Sequence, residues 1–107
     1  MHCSSGCEFV VALTHMRTDN DVRLAEKVPE IDLILGGHNL VYEKRKVNGT
    51  YILKSGSDFR QFSTISLDFR ESPVVVEIDC VEVDKEQEAD TELAKCLEQF
   101  TGIVEII

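Results

Sequence analysis

The sequence predicts an α/β fold: one βαβ unit, then antiparallel strands, then a closing helix. Three observations predict it. Two apolar runs, Phe9–Leu13 and Ile31–Leu35, bracket a stretch with apolar residues at helical spacing. Asn48-Gly49 joins two strand-like segments, which is the strongest short hairpin signal. Two later stretches alternate apolar and polar residues at period two. The 107 residues are enough for one domain with one core. No repeat, low-complexity segment or internal linker interrupts them.

The elements follow in order. Phe9-Val10-Val11-Ala12-Leu13 is continuous, partly β-branched and preceded by Ser4-Ser5-Gly6, the pattern of a strand buried on both faces. Thr14-His15-Met16-Arg17 reads as a loop, with Thr18 as N-cap and Asp21 three residues on as a capping-box variant. Val22, Ala25 and Val28, with Leu24 beside them, give a helical stripe that Pro29 ends at or before Val28. Ile31–Leu35 is the second strand, closed by Gly36-Gly37. Two strands joined by a helix in so short a span are expected to be parallel, with a right-handed crossover. This βαβ unit occupies 8–40.

Over 41–84 the pattern becomes antiparallel. Val41–Val47 and Thr50–Lys54 flank the Asn48-Gly49 turn. Phe59, Ile65, Leu67 and Phe69 share one face of a long strand. Val74, Val76, Ile78 and Cys80 share a face of the next, after the Glu71-Ser72-Pro73 turn. A meander is the expected arrangement. Leu93, Leu97 and Phe100, flanked by Ala89 and Cys96, mark an amphipathic helix within 88–101. The tail Ile103-Val104-Glu105-Ile106-Ile107 is apolar and suggests a cut chain or a partner surface.

Composition narrows the function. Twenty acids against eleven bases give a formal charge of −9, which argues against a nucleic-acid partner. The basic cluster Lys44-Arg45-Lys46 precedes a tight turn and reads as a solvated hairpin. No apolar run exceeds five residues, so no membrane span is expected. No basic-then-apolar leader opens the sequence, which leaves the compartment unknown, or cytoplasmic if the chain is complete. His2, Cys3 and Cys7 read as part of a frayed N-terminus rather than a metal site, and the four cysteines do not force a disulfide framework. Asn48-Gly49-Thr50 matches a glycosylation sequon, but the tight turn accounts for it without a glycan. The acidic stretch from Glu82 to Glu92 reads as a solvated lead into the last helix.

The candidate chemistry lies in His15 and His38. Each directly follows an apolar strand, so both fall at the carboxyl edge of the sheet, where open α/β folds bind ligands. Neighbouring strand axes are about 4.8 Å apart. Two imidazoles leaving adjacent strand ends can therefore converge on one divalent cation, with other ligands completing its shell. Gly36 and Gly37 suit a site where backbone comes close. Read alone, either histidine is more simply a loop residue, and spacing by itself does not decide between the two.

Val11-Ala12-Leu13-Thr14-His15, then Asp21 and Leu24-Ala25, then Ile31-Asp32-Leu33-Ile34-Leu35-Gly36-Gly37-His38 resembles the second half of a calcineurin-like metallophosphoesterase domain. Within that superfamily it is most similar to the 5′-nucleotidase branch. Val47-Asn48-Gly49-Thr50 through Gly56 resembles the same branch's hairpin, and Ser63–Phe69 matches the hydrophobic pattern of its next strand. The resemblance covers about residues 8–83 and implies a partial metallophosphoesterase α/β sandwich, the C-terminal half of the catalytic domain across 1–107.

The resemblance makes His15 the histidine closing the family's fourth motif and His38 the first histidine of its last, both on the same ion of a dinuclear site. The ions would be Zn, Mn or Mg. The family's next ligand falls at Leu40, which cannot coordinate; Asn39, one position earlier, carries an amide. The D-x-H, G-D and G-N-H-[D/E] motifs, which supply the other ligands and the catalytic histidine, do not occur in this sequence. No catalytic residue is therefore assigned, and metal binding by this chain is expected to be weak or absent. Arg17 is a candidate contact for an anionic substrate, although a solvated loop arginine accounts for it more simply. Asn20 and Asp21 are expected to fix the helix start. Asp58 and Phe59 sit where a loop could approach the site.

What the resemblance implies is metal-dependent hydrolysis of a phosphoric monoester such as a nucleotide. The chain would be a fragment of that enzyme, inactive alone, whose missing half precedes Met1. A non-catalytic scaffold or assembly module that has lost the metal site is a second reading, favoured by Leu40. Another calcineurin-like phosphoesterase is a third. Self-association through an exposed sheet and the apolar tail is a further expectation.

Overall fold

The structure is a computed structural model, and it describes residues 6–84 and 90–100, with the backbone alone at Phe100. His2, Cys3, Ala89, the middle of the acidic stretch and the tail from Ile103 lie outside the described residues. The elements are β1 (Val11–Leu13), α1 (Thr18–Lys27), β2 (Leu33–Gly36), β3 (Tyr42–Val47), β4 (Thr50–Ser55), β5 (Gln61–Asp68), β6 (Val75–Glu82) and α2 (Thr91–Phe100). The α/β class stands. Strands β1, β2, β4 and β3 form one sheet in that order, and β5–β6 forms a second.

β1 and β2 are parallel neighbours, with Val11 opposite Leu33 and Leu13 opposite Leu35. The Asn48-Gly49 hairpin forms as expected, with both turn residues at positive φ (47° and 87°), as a two-residue primed turn requires. The antiparallel part is nonetheless two separate hairpins rather than one continuous meander. β4 lies beside β2 and parallel to it, and β3 takes the sheet edge. The reason is chemical. Ile52 and Leu53 give β4 an apolar residue on each face, which suits a sheet interior. Glu43, Lys44, Arg45 and Lys46 give β3 the charge that suits an edge. Lys44 donates to the carbonyl of Ile78, Arg45 pairs with Glu43 at 2.6 Å, and Lys46 lies 5.0 Å from the Tyr51 ring centre.

Period-two alternation through β2 and β4 feeds two cores. Ile34 and Ile52 face α1 and pack with Val10, Ala25 and Ile31. Leu33 and Leu53 face the opposite way and pack with Ile78 of β6, flanked by Phe9, Ile65 and Val76. The layers are thus helix, four-stranded sheet and two-stranded sheet.

Three further expectations change. β1 is not covered on both faces: Val11 is 45% and Leu13 85% exposed, because among the described residues β1 is an edge strand that the β5–β6 hairpin does not cover. Burial on both faces belongs instead to β2. Thr18 is the first helical residue rather than the N-cap, which is Arg17 in extended backbone without a side-chain cap bond. Asp21 has turned away from the helix end, and Asn39 Oδ1 accepts the Thr18 amide hydrogen from outside the helix. Phe59 does not belong to β5. It and Asp58 have φ of 56° and 57° in the preceding turn, and Phe59 is 92% exposed. The helix ends at Lys27, just before Val28-Pro29, as read. Leu93 and Leu97 of α2 are exposed.

Candidate functional site

Level strand ends bring the two histidine loops together. Beyond the Leu13–Leu35 pair, the amide of Thr14 still donates to the carbonyl of Leu35 at 2.9 Å, which carries the β1–β2 contact up to the residue before His15. His38 follows β2 by two residues. The two imidazole rings stand edge to face, with centroids 5.6 Å apart and planes at 83°. Both residues are exposed, so a ligand can reach them.

His38 is held in an uncommon backbone state. Its φ is 74°, and the amide of Asn39 donates to the carbonyl of Gly37 at 2.9 Å, closing a three-residue turn around it. This is the rare γ-turn class, and side chains held in such regions cost about 1–3 kcal/mol. Its neighbour Gly37 is needed for space: a Cβ there would lie 2.8 Å from His15 Nδ1. Gly36 makes room for something else. A Cβ there would lie 2.9 Å from Lys54 Cε and 3.1 Å from Asp21 Oδ2.

Those two residues form a buried ion pair under the histidine loops. Lys54 and Asp21 are 1% and 0% exposed, and Lys54 Nζ lies 2.8 Å from Asp21 Oδ2. That oxygen is off the line of a hydrogen bond, so the contact is ionic rather than directional. Asp21 Oδ1 accepts from the Thr14 hydroxyl at 2.7 Å. The Lys54 ammonium also donates to the Met16 carbonyl and to Asn39 Oδ1, each at 2.8 Å. Asn39 Oδ1 further accepts from the Thr18 amide at 3.0 Å and hydroxyl at 3.1 Å. Asp21 therefore has a structural role, but not the expected one of fixing the helix start: its carboxylate links Thr14 to Lys54 and makes no cap bond to α1.

The geometry separates the remaining candidates. Asn39 Oδ1 is taken up by these bonds and faces inward. Leu40 is 72% exposed and apolar. Arg17 is exposed at the start of α1. Asp58 and Phe59 lie in the loop leaving β4 at the same carboxyl edge. Among the described residues no group of three or more His, Cys, Asp or Glu could hold a metal ion. The donor set is therefore two imidazoles, which fits part of a shell but not the four ligands a structural zinc takes. A recess of about 620 Å³, lined by Phe9, Asp32, Tyr51 and Phe69 among others, opens at the opposite, amino edge of the sheet, and neither histidine lines it.

Sequence reasoning missed Lys54. A signal was present: in Thr50-Tyr51-Ile52-Leu53-Lys54 the lysine shares the face of Ile52, which period two places in the core.

No family model matches the sequence. The chain is 32% identical over 105 residues to the trifunctional nucleotide phosphoesterase protein YfkN of Bacillus subtilis (strain 168). That match takes in 90% of this chain but only 7% of that protein's length. The likeness points to a phosphoesterase-like origin. No helix among the described residues is long and apolar enough to cross a membrane.

Proposed function

We propose that the chain is part of a metal-dependent phosphoric monoester hydrolase of the 5′-nucleotidase branch, and that His15 and His38 are its contribution to a divalent-metal site. The observation that carries this is the pair of exposed imidazoles, 5.6 Å apart between centroids, at the ends of adjacent parallel strands. The likeness to a protein named as a nucleotide phosphoesterase supports it. In this reading the substrate is a phosphate ester such as a nucleotide. Zn, Mn or Mg ions, when bound, would supply an activated water and polarise the phosphoryl oxygens. His15 and His38 would offer ring nitrogens to one ion, and Arg17 at the helix start would meet the anionic substrate. Leu40 and the two-donor set leave the shell incomplete, so the remaining ligands come from outside the residues described, and the chain alone is inactive.

Titration with Zn²⁺ tests this. The chain is expected to bind with Kd weaker than ~10 µM, with the ring resonances of both histidines shifting together in NMR spectra and His15→Ala abolishing the shift at His38. Independent responses of the two rings would end the shared-ion reading. Sub-micromolar affinity lost in His15→Ala would overturn the half-site reading. Leu40 favours a second reading, a non-catalytic module built on the same scaffold. Hydrolysis of a nucleoside monophosphate by a chain extended upstream would exclude it.

A further inference from the structure

We infer that Lys54 is a positioning residue that sets the spacing of His15 and His38, an inference that rests on the reading that the two histidines act as a pair. Its partners are distributed across both histidine loops. The Met16 carbonyl follows His15 by one residue, and the Asn39 side chain follows His38 by one. Asp21, the third partner, is held by Thr14, the residue before His15. One ammonium on β4 thus ties the two loops from beneath, while β4 itself is fixed in register against β2.

Stability does not explain such a group. Lysine is almost never fully buried, and a buried ion pair can often be replaced by apolar side chains of similar volume without loss. What apolar side chains could not reproduce is the directional hold on two backbone segments. One of those segments carries His38 at a φ of 74°. The Asn39 oxygen that Lys54 grips also accepts the Thr18 amide, so the turn around His38 is fastened to α1 as well.

The test is the double variant Lys54→Met/Asp21→Leu, which removes both charges together. In the unaltered, metal-free protein, ring protons of His15 and His38 should give a mutual NOE. In the double variant that cross-peak should vanish while amide NOEs between β2 and β4 persist. Zn²⁺ affinity should fall at least ~10-fold, the range seen when groups that orient metal ligands are lost. If the double variant does not fold, Asn39→Ala, at a partly exposed site, cuts the same link and should also lose the cross-peak. A ring–ring NOE that survives in a folded variant, or is missing from the unaltered protein, overturns the inference. If the unaltered protein binds no Zn²⁺, the metal reading fails, and the NOE comparison still decides the positioning role.

Discussion

Replacing the two adjacent glycines one at a time should separate stability from site geometry. At Gly36 an added Cβ would stand 2.9 Å from Lys54 Cε and 3.1 Å from Asp21 Oδ2. Neither can move aside cheaply, because Lys54 is 1% exposed and its ammonium has three partners within 2.8 Å. Overpacking of this kind costs about 1–3 kcal/mol. It outweighs the gain of about 0.4–1 kcal/mol that Gly→Ala brings by restricting the unfolded chain. At roughly 4–8 °C per kcal/mol for a domain near this size, Gly36→Ala should lower Tm by several degrees. At Gly37 the obstacle is the exposed His15 ring, 2.8 Å from the added atom at Nδ1 and 3.4 Å at Cε1. That ring can swing into solvent, so Gly37→Ala should cost less than about 1 kcal/mol, the scale of an off-rotamer side chain. It should also lengthen the His15–His38 separation. Thermal unfolding followed by circular dichroism gives the first quantity and ring NOEs give the second. A Gly36→Ala protein at least as stable as Gly37→Ala would refute the argument that the ion pair is rigidly packed.

Two further outcomes follow from the charges. Asp21→Ala leaves the Lys54 ammonium buried without its counter-ion and should cost about 3–5 kcal/mol in a urea titration, more than the double replacement of the pair; a loss below about 1 kcal/mol would show that the pair is not isolated from water. At the surface, the Arg70 guanidinium beside Asp68, helped by the Arg70 backbone amide, holds the Asp68 carboxyl below its ordinary value of 3.8. The folded state therefore binds that proton less readily than the unfolded chain, so the pair's contribution is present above pH 3.8 and fades as pH falls through the lower folded value. NMR titration should give Asp68 a midpoint below 3.8 that returns upward in Arg70→Ala; an unchanged midpoint would contradict the pairing.

What the sequence makes legible is local. Pro29 stops α1, Asn48-Gly49 turns the hairpin, and two apolar runs bounded by a helix become parallel neighbours. His15 and His38 could be paired because each closes one of those runs. The features that escaped depend on contacts far apart in the chain. Nothing near Lys54 announces Asp21 until β4 is known to lie beside β2, and that order reflects which hairpin strand is apolar on both faces. Asn39 reads as a loop residue until its oxygen is seen capping Thr18. Leu13 looks like core until the second sheet is seen to leave β1 uncovered, and Phe59 keeps the rhythm of β5 although the backbone turns at it.

The two imidazoles hang from strands of unequal security. β2 is hydrogen-bonded on both sides and packed on both faces, so its amides should open only with the whole domain, whereas β1 has one strand neighbour among the described residues and bare side chains at Val11 and Leu13. Fluctuation in the gap between the rings is then chiefly a matter of His15 moving relative to a fixed His38. Whatever steadies the outer rim of β1 would tighten the pair without touching either ring.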